Sequence, residues 1–278
     1  MNILVISEQF KNGGLETQIH TLYNSMKKKH KIILAVRAFE NNLDFSEATI
    51  YEGFNFSYNS LVDDFIQDVN KLKEIINKEN IDCIHVHPFY SIYPAIFAAK
   101  IMNIPIAYTV HGFGSINFPS QMMDTLLLQF SLETYIDKIF SVSKICADSL
   151  NHASITKKTS VLTNCIDMKK FQRHKVSDNK IWAINSRLDS DKTPEIITII
   201  ENINKLDIIE LHIYGTGTEE EKIRELIANR DLNKKVSLKG WSDNLDQELN
   251  EKYNRNYGDR KSCNGRCFNG VPSGFNRI

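Results

Sequence analysis

Two cations in the second half of the sequence, Arg187 and Lys192, are spaced so that they could bind a diphosphate. They lie in the stretch Ala183–Lys192 (AINSRLDSDK), whose pattern predicts a buried strand leading into a helix. Arg187 follows the predicted strand, and Lys192 precedes the predicted helix, after the capping candidates Ser190 and Asp191. Cations at the carboxyl edge of a parallel strand, beside a helix N-terminus, suit a diphosphate. For this stretch alone, an ordinary turn with two solvated cations is an equal alternative.

Two glycine pairs follow predicted strands and precede predicted helices. Gly13 and Gly14 come after the first strand, and Gly215 and Gly217 come after a strand in the second half of the chain. Because glycine has no side chain, such turns allow backbone N–H groups to approach a phosphate closely. The spacing is not GxGxxG, so a dinucleotide-binding fingerprint is not supported. Taken alone, each pair is also explained by a tight turn.

Three histidines, His85, His87 and His111, lie at the predicted carboxyl ends of strands, the edge where ligands bind in open α/β sheets. The His-x-His pair shares one strand face, but no carboxylate is spaced to complete a metal site, so packing or hydrogen bonding is favoured for His85 and His87. His111 precedes a loop that contains Gly112 and Gly114. It can therefore offer a hydrogen bond to a sugar hydroxyl, and a packed or capping histidine is the alternative.

Short apolar runs alternate with helical patterns along the whole chain, which predicts a doubly wound parallel sheet of the α/β class. After a polar linker the same alternation starts again, but it stops after about three strands, fewer than the five or six of an average sheet. The pattern predicts a first Rossmann-like domain over residues 1–171, an incomplete second one over 181–253 and an aberrant tail over 254–278. The predicted strands are Asn2–Ser7, Ile32–Val36, Cys83–His87, Ile106–Val110, Lys138–Val142, Ser160–Thr163, Ile181–Asn185, Ile208–Tyr214 and Val236–Lys239.

The composition narrows the class of partner. The chain has 34 basic and 34 acidic residues, so no net field points to nucleic acid. Its five cysteines lack regular spacing, no signal peptide is evident, and no apolar run is long enough to cross a bilayer. We therefore expect a cytoplasmic protein. The run Lys27–Lys29 leaves open a peripheral contact with the inner face of the membrane, although the solvated end of a helix explains it as well.

Taken together, these stretches resemble family four of the glycosyltransferases, the "group 1" transferases, which have the two-domain GT-B fold. Each motif is loose, but the ordered set is specific and covers nearly everything from Met1 to Tyr253. The matching stretches are NILVISEQFKNGGLETQI, HVHPFYSIYPAIFAAK, IAYTVHGFG, IFSVSKICADSL, VLTNCIDMKKF, INSRLDSDKTPEIITII and LHIYGTGTEEEKIREL.

The resemblance implies transfer of a sugar, of the hexosyl type, from a nucleotide-sugar donor to a glycan or lipid-linked acceptor, as in polysaccharide biosynthesis. It implies retention of configuration, no catalytic metal and no cofactor, since the nucleotide-sugar is a substrate. It also implies that loops near Asn12, Pro88 and Phe113–Pro119 read the acceptor.

The resemblance also assigns roles to the residues singled out above. Arg187 and Lys192 would clamp the donor diphosphate and stabilise the leaving group, and His111 would lie near the donor sugar; these three form the implied catalytic set. The implied donor-binding set contains the same two cations and the four turn glycines Gly13, Gly14, Gly215 and Gly217.

The tail departs from the family pattern. After Tyr253 the family has a strand, a glycine-rich turn, an acidic residue and a Gly-x-Pro-Val segment, whereas residues 255–278 show no apolar periodicity. A shifted reading frame of one possible coding DNA yields a peptide with those missing features. We therefore expect a truncated transferase with weak nucleotide binding and little or no transfer. The alternatives are a non-catalytic GT-B-like protein that binds a nucleotide or a partner and, ranked lower, a nucleotide-sugar epimerase or a dehydrogenase.

Overall fold

A computed structural model shows the chain as two compact units, Met1–Cys165 and Ile166–Ile278. Each unit is an α/β sandwich built on its own sheet. The structure describes residues 1–11, 13–40, 42–56, 61–87, 90–112, 122–150, 152–164, 180–190, 192–242, 244–252 and 268–269.

Some of the sequence-based predictions concern residues outside these ranges. The predicted domain ranges 1–171, 181–253 and 254–278 stay predictions, because residues 165–179 and nearly all of the tail lie outside the described part. The predicted acceptor loops near Asn12, Pro88 and Phe113–Pro119 lie outside it as well.

The first unit contains one seven-stranded sheet in which every pair of neighbouring strands is parallel. Its strands are β1 (Asn2–Phe10), β2 (Lys31–Phe39), β3 (Thr49–Tyr51), β4 (Cys83–Val86), β5 (Ile106–Val110), β6 (Lys138–Ser141) and β7 (Thr159–Val161). The spatial order is β3-β2-β1-β4-β5-β6-β7. The helices are α1 (Gly14–Met26), α2 (Val62–Glu79), α3 (Ile92–Met102), α4 (Met122–Thr134), α5 (Lys144–Asp148) and α6 (Ala153–Lys158).

The two faces of this sheet bury separate apolar clusters. Residues alternate between faces along a strand, so Leu4 and Ile6 join one cluster and Val5 joins the other. The larger cluster receives side chains of α2, α3 and α4, and the smaller one receives Ile19 and Tyr23 of α1. Because both faces are covered, the buried residues of the central strands are mostly apolar, as is typical of a parallel sheet with two covered faces.

Two asparagines end helices of this unit and direct the chain back into the sheet. Asn80 follows α2 and Asn103 follows α3, with φ of 49° and 53°, in the left-handed region. Asparagine tolerates this conformation better than most residues, and it ends a helix cleanly. The strands β4 and β5 therefore begin within a few residues of the helices that precede them.

The second unit is smaller. Its strands are β8 (Ile181–Asn185), β9 (Glu210–Tyr214), β10 (Val236–Gly240) and β11 (Phe268–Asn269), and its helices are α7 (Thr193–Glu201), α8 (Glu220–Asn229) and α9 (Leu245–Lys252). The sheet order is β10-β9-β8-β11, with β8, β9 and β10 parallel and the two-residue β11 antiparallel to β8. The predicted fold class, two Rossmann-like units of which the second is incomplete, is confirmed. No helix in the described part of the chain is long and apolar enough to cross a membrane.

Candidate functional site

The β1–α1 turn carries Gly13 and Gly14 at the carboxyl end of β1. The helix α1 begins at Gly14, and the carbonyl of Gly13 accepts hydrogen bonds from Thr17 N at 3.0 Å and Thr17 Oγ1 at 2.8 Å. A Cβ at Gly14 would meet no atom within 4 Å, and one at Gly13 would meet only the flexible Glu16 side chain, its Oε2 at 2.5 Å. Gly13 has an extended backbone, with φ of −166°. Within the described residues, neither backbone conformation nor packing requires glycine here, and the space beside Gly14 at the start of α1 is open.

The three predicted histidines lie together at the carboxyl ends of β4 and β5. The ring of His85 is hydrogen bonded to Thr109, with 2.7 Å between Nε2 and Oγ1. The ring of His87 is hydrogen bonded to that of His111, with 2.8 Å between Nδ1 and Nε2. The ring centroids of His85 and His87 are 4.4 Å apart. The hydrogen bonding and packing predicted for His85 and His87 are therefore present, and His111 contacts His87.

Burial keeps these imidazoles neutral. It lowers the pKa of His85 to about 4. Burial, and then the neighbouring His85 ring, lowers the pKa of His111 to about 4. Burial also lowers the pKa of His87 well below its usual value, with smaller contributions from the other two rings. At neutral pH His111 can therefore donate or accept a hydrogen bond, but it does not supply a positive charge to a diphosphate.

The β8–α7 turn carries the predicted cations. Arg187 lies two residues beyond the end of β8, and its side chain is 62% exposed. Its Nη1 donates a hydrogen bond of 2.8 Å to Oδ2 of Asp189. Lys192 is the residue at the start of α7, and its backbone N–H donates to the carbonyl of Asp189 at 2.9 Å. The two cations thus lie on one short connection at the carboxyl edge of the second sheet, as predicted.

Asp189 organises this turn, and the sequence analysis did not identify it. Its Oδ1 accepts hydrogen bonds from the backbone N of Thr218 at 3.1 Å and from Thr218 Oγ1 at 3.3 Å, and its Oδ2 accepts from Arg187. These interactions, chiefly the Thr218 N–H and then the charge of Arg187, lower the pKa of Asp189. An acidic residue two positions after an arginine was a visible signal, but its partner Thr218 is remote in the sequence.

The predicted cap of α7 needs correction. Lys192 occupies the N-cap position, and no side chain caps the helix there. Instead, the carbonyl of Asp189 accepts the backbone N–H groups of Lys192 and Thr193, both at 2.9 Å. Ser190 is therefore not the N-cap, and Asp191 lies outside the described residues. A backbone carbonyl of the turn therefore accepts the hydrogen bonds that were predicted for a capping side chain, because the chain folds back on itself before α7 starts.

Gly215 and Gly217 form the β9–α8 turn, which lies directly against the Arg187 turn. Gly215 has φ of +118°, and a Cβ there would overlap the carbonyl oxygen of Ser186. A Cβ at Gly217 would overlap the backbone of Leu188, with its nitrogen at 2.7 Å. Leu188 N donates to the carbonyl of Thr216 at 3.0 Å. Packing of the two turns thus requires both glycines, and the predicted contact of this turn with a nucleotide stays a prediction.

No group of three or more His, Cys, Asp or Glu side chains among the described residues is arranged to hold a metal ion.

One protein-family profile matches this chain. The profile described as Glycosyltransferase Family 4 matches residues 12–170, more than half of the chain. The comparison with curated proteins found no match.

Solved structures share the two-unit fold at low sequence identity. HepE from Anabaena, in complex with UDP and glucose, has a TM-score of 0.71 and 16% identity, over 90% of this chain and 71% of that one. A glycosyltransferase from Rickettsia africae has a TM-score of 0.69 and 17% identity, over 90% and 70%. Sucrose-phosphate synthase from Thermosynechococcus elongatus has a TM-score of 0.71 and 16% identity, over 90% and 72%. At such identities these likenesses show the fold.

Proposed function

Because the chain belongs to glycosyltransferase family 4, we propose that it transfers a sugar from a nucleotide-sugar donor to a glycan or lipid-linked acceptor. Transfer occurs with retention of configuration and uses neither a catalytic metal nor a cofactor, in keeping with the family resemblance. The observation that carries the proposal is the β8–α7 turn, where Arg187 and Lys192 lie together at the carboxyl edge of a parallel sheet.

In this proposal Arg187 and Lys192 bind the donor diphosphate. A charge-assisted hydrogen bond to a phosphate contributes about 1.5–3 kcal/mol. Its contribution grows during transfer, because negative charge develops on the diphosphate as the bond to the sugar breaks. Asp189 holds the Arg187 guanidinium at the turn before the donor arrives, which reduces the side-chain entropy lost on binding.

The first unit supplies neutral groups. The open space before α1 allows the N–H groups at Gly13 and Gly14 to approach a phosphate, and the helix N-terminus favours negative charge there. The neutral ring of His111 hydrogen bonds a hydroxyl of the donor sugar. This division is chemically sensible, because the cations neutralise the leaving group and the neutral histidine binds an uncharged sugar.

The nucleotide is proposed to be uridine diphosphate. HepE, which shares the fold, has been solved with UDP and glucose and with UDP-glucose. A WaaB structure, described as a lipopolysaccharide outer core galactosyltransferase, also shares the fold with a TM-score of 0.63 and 14% identity, over 91% of this chain and 71% of that one. These relatives favour a UDP-hexose as the first donor to test.

A non-catalytic nucleotide-binding protein is the second candidate. The observation that favours it is the small second sheet, in which three described strands are parallel and the fourth is a two-residue antiparallel strand. Such a protein would keep the cationic turn and bind the diphosphate without transferring the sugar. Reduced turnover of the chain is expected for the same reason.

The test is a turnover assay of the full chain with a set of sugar nucleotides, in the presence and absence of oligosaccharide acceptors, with UDP release and glycosylated product both measured. Arg187→Ala should abolish product formation. Arg230→Ala is the matched control, because Arg230 is a partly exposed arginine of the same unit paired with Glu201 at 2.9 Å. Nucleotide binding without product would favour the second candidate, and no binding of any nucleotide would overturn both.

A further inference from the structure

We infer that His87 is a positioning residue, which holds His111 in the orientation and tautomer that it needs to meet the donor sugar. The inference rests on the proposed function for the role of His111, whereas the geometry that supports it does not. The central observation is the hydrogen bond of 2.8 Å between His87 Nδ1 and His111 Nε2.

Both the backbone and the ring of His87 contact neighbouring residues. Its ring is 1% exposed, its backbone N donates to the carbonyl of Ile6 at 2.8 Å, and its carbonyl accepts from Ser91 Oγ at 3.1 Å. Ser91 is fully buried at the start of α3. The centroids of the His85 and His111 rings lie 4.4 and 5.1 Å from that of His87. A buried residue whose backbone is bonded to β1 and to the start of α3, and whose ring packs on His85, can act as a fixed reference for a neighbour.

His111 lies just beyond the end of β5 and is followed by Gly112. Among the described residues it belongs to neither a strand nor a helix. A side chain in such a position keeps one orientation only if a neighbour defines it. The hydrogen bond with His87 defines the orientation of the His111 ring.

The pairing also determines which edge of His111 faces a ligand. Each neutral imidazole has one donor and one acceptor nitrogen, so one ring of the pair must donate and the other must accept. Because Nε2 of His111 is engaged by His87, the Nδ1 edge is left for the sugar. The His87 tautomer then fixes whether that edge donates or accepts, because the hydrogen bond at one ring nitrogen of a histidine sets the protonation of the other.

A second link between the same strands provides a matched control. His85 is hydrogen bonded to Thr109 at 2.7 Å, and the His87–His111 pair lies two residues further along both chain segments. Both histidines are packed on the same face of β4, but only one of them is bonded to His111. Loss of the His85 link should therefore affect stability without changing the tautomer of His111.

The test is nitrogen NMR of the full chain labelled with ¹⁵N-histidine at pH 7.5. We expect a scalar coupling across the hydrogen bond between His87 Nδ1 and His111 Nε2, and ring shifts of His111 that report a single tautomer. Absence of that coupling together with a mixture of tautomers in the wild-type chain would overturn the inference, and this result needs no variant and no activity.

Variants separate positioning from packing. His87→Phe keeps an aromatic ring without the hydrogen bond, and His87→Asn places an amide near the position of Nδ1. In His87→Phe we expect His111 to populate both tautomers and kcat to fall at least tenfold with donor KM changed less than threefold, and His87→Asn should recover most of both. A single unchanged tautomer in His87→Phe, or a change as large in His85→Phe, would contradict the inference. Absence of turnover in the wild type would count against the proposed function alone, because the NMR measurement does not depend on it.

Discussion

At the scale of single residues, the glycines of the two units have opposite structural explanations. Gly215 and Gly217 are required by the packing of two turns, whereas Gly14 faces open space in the described structure. A glycine that the fold does not require is better explained by an approaching ligand. This distinction gives each glycine its own experimental signature.

Gly14→Ala should leave the fold intact and weaken donor binding. Since Gly14 is the first residue of α1 and has no steric neighbour, alanine should raise the free energy of unfolding by up to about 1 kcal/mol. The added methyl group would lie where the phosphate is proposed to bind, so we expect donor affinity to fall at least fivefold. Ser25→Ala, at the far end of α1, is the control. Unchanged affinity in Gly14→Ala would contradict the phosphate-facing role.

Asp189 should contribute more to stability than an ordinary surface carboxylate. Asp189→Ala removes the acceptor of the Thr218 N–H and the partner of Arg187, which should lower the free energy of unfolding by about 1–3 kcal/mol. Asp207→Ala is the comparison, because Asp207 is 85% exposed and pairs only with Lys180 among the contacts seen here. Urea unfolding measures both. Equal midpoints for the two variants would show that the turn does not depend on Asp189.

The buried histidines predict a loss of stability in mild acid. In the unfolded chain an imidazole titrates near pH 6.5, whereas burial lowers the pKa of His85 and of His111 to about 4. Between these values the unfolded state binds protons that the folded state does not, so stability falls as the pH falls through this window. Each ring contributes of the order of 3 kcal/mol by pH 4. Asp68, whose pKa burial raises, acts in the opposite direction.

Urea unfolding between pH 7.5 and 5 checks this expectation, because carboxylates titrate mainly below that range. His85→Gln can keep a hydrogen-bonding group near Thr109 without a titrating ring, so its stability should depend less on pH than that of the wild type. A slope near zero in the wild type would mean that these rings are hydrated in solution.

At the scale of elements, the two turns at the edge of the second sheet behave as one structure. Ser186 N donates to the carbonyl of Tyr214 at 3.0 Å, and Glu219 N donates to the carbonyl of Leu188 at 2.8 Å. Together with the Asp189–Thr218 bonds, these contacts fasten the β8–α7 turn to the β9–α8 turn. The position of Arg187 therefore depends on the β9–α8 turn as well as on its own β8–α7 turn.

Gly215→Ala should disrupt this arrangement. The residue has φ of +118°, where an L side chain is strained by about 1–2 kcal/mol, and the methyl group would overlap a backbone oxygen that has little freedom to move. We expect the free energy of unfolding to fall by at least about 2 kcal/mol and UDP affinity to fall with it. Gly14→Ala serves as the opposite case. A Gly215→Ala protein as stable as the wild type would show that the turns are not packed in this way.

The alternation of strands and helices could be predicted from the sequence because short apolar runs between helical patterns determine it locally. Ile32–Val36 and Ile106–Val110 are examples, and both lie inside strands of the structure. The strand Thr49–Tyr51 was not predicted, because three residues carry no period and pairing with β2 defines it. The short helix Ala153–Lys158 was not predicted either, because so few residues do not show a helical period.

The positions of the candidate site residues could be predicted, but their connections could not. Arg187 and His111 were found because they follow apolar runs at strand ends. Asp189 and Thr218 lie 29 positions apart, and His87 and His111 lie 24 apart. Only the folded sheets bring these pairs together, so no local pattern in the sequence reports them.

At the scale of the whole molecule, the two units bring different chemistry to the proposed reaction. The first unit offers neutral imidazoles and an open helix N-terminus, and the second offers two cations on one turn. The chain as a whole has balanced charge, with 34 basic and 34 acidic residues. Attraction of a diphosphate must therefore come from the local cations, and it should weaken as salt increases.

Binding of the diphosphate by the β8–α7 turn can be measured by titration calorimetry of the full chain with UDP. We predict saturable binding that weakens 10–100-fold in Arg187→Ala, equivalent to about 1.4–2.8 kcal/mol, and that is unchanged in Arg230→Ala. Raising the salt concentration should weaken binding to the wild type more than to Arg187→Ala. Equal UDP affinity in the wild type and Arg187→Ala would contradict the account.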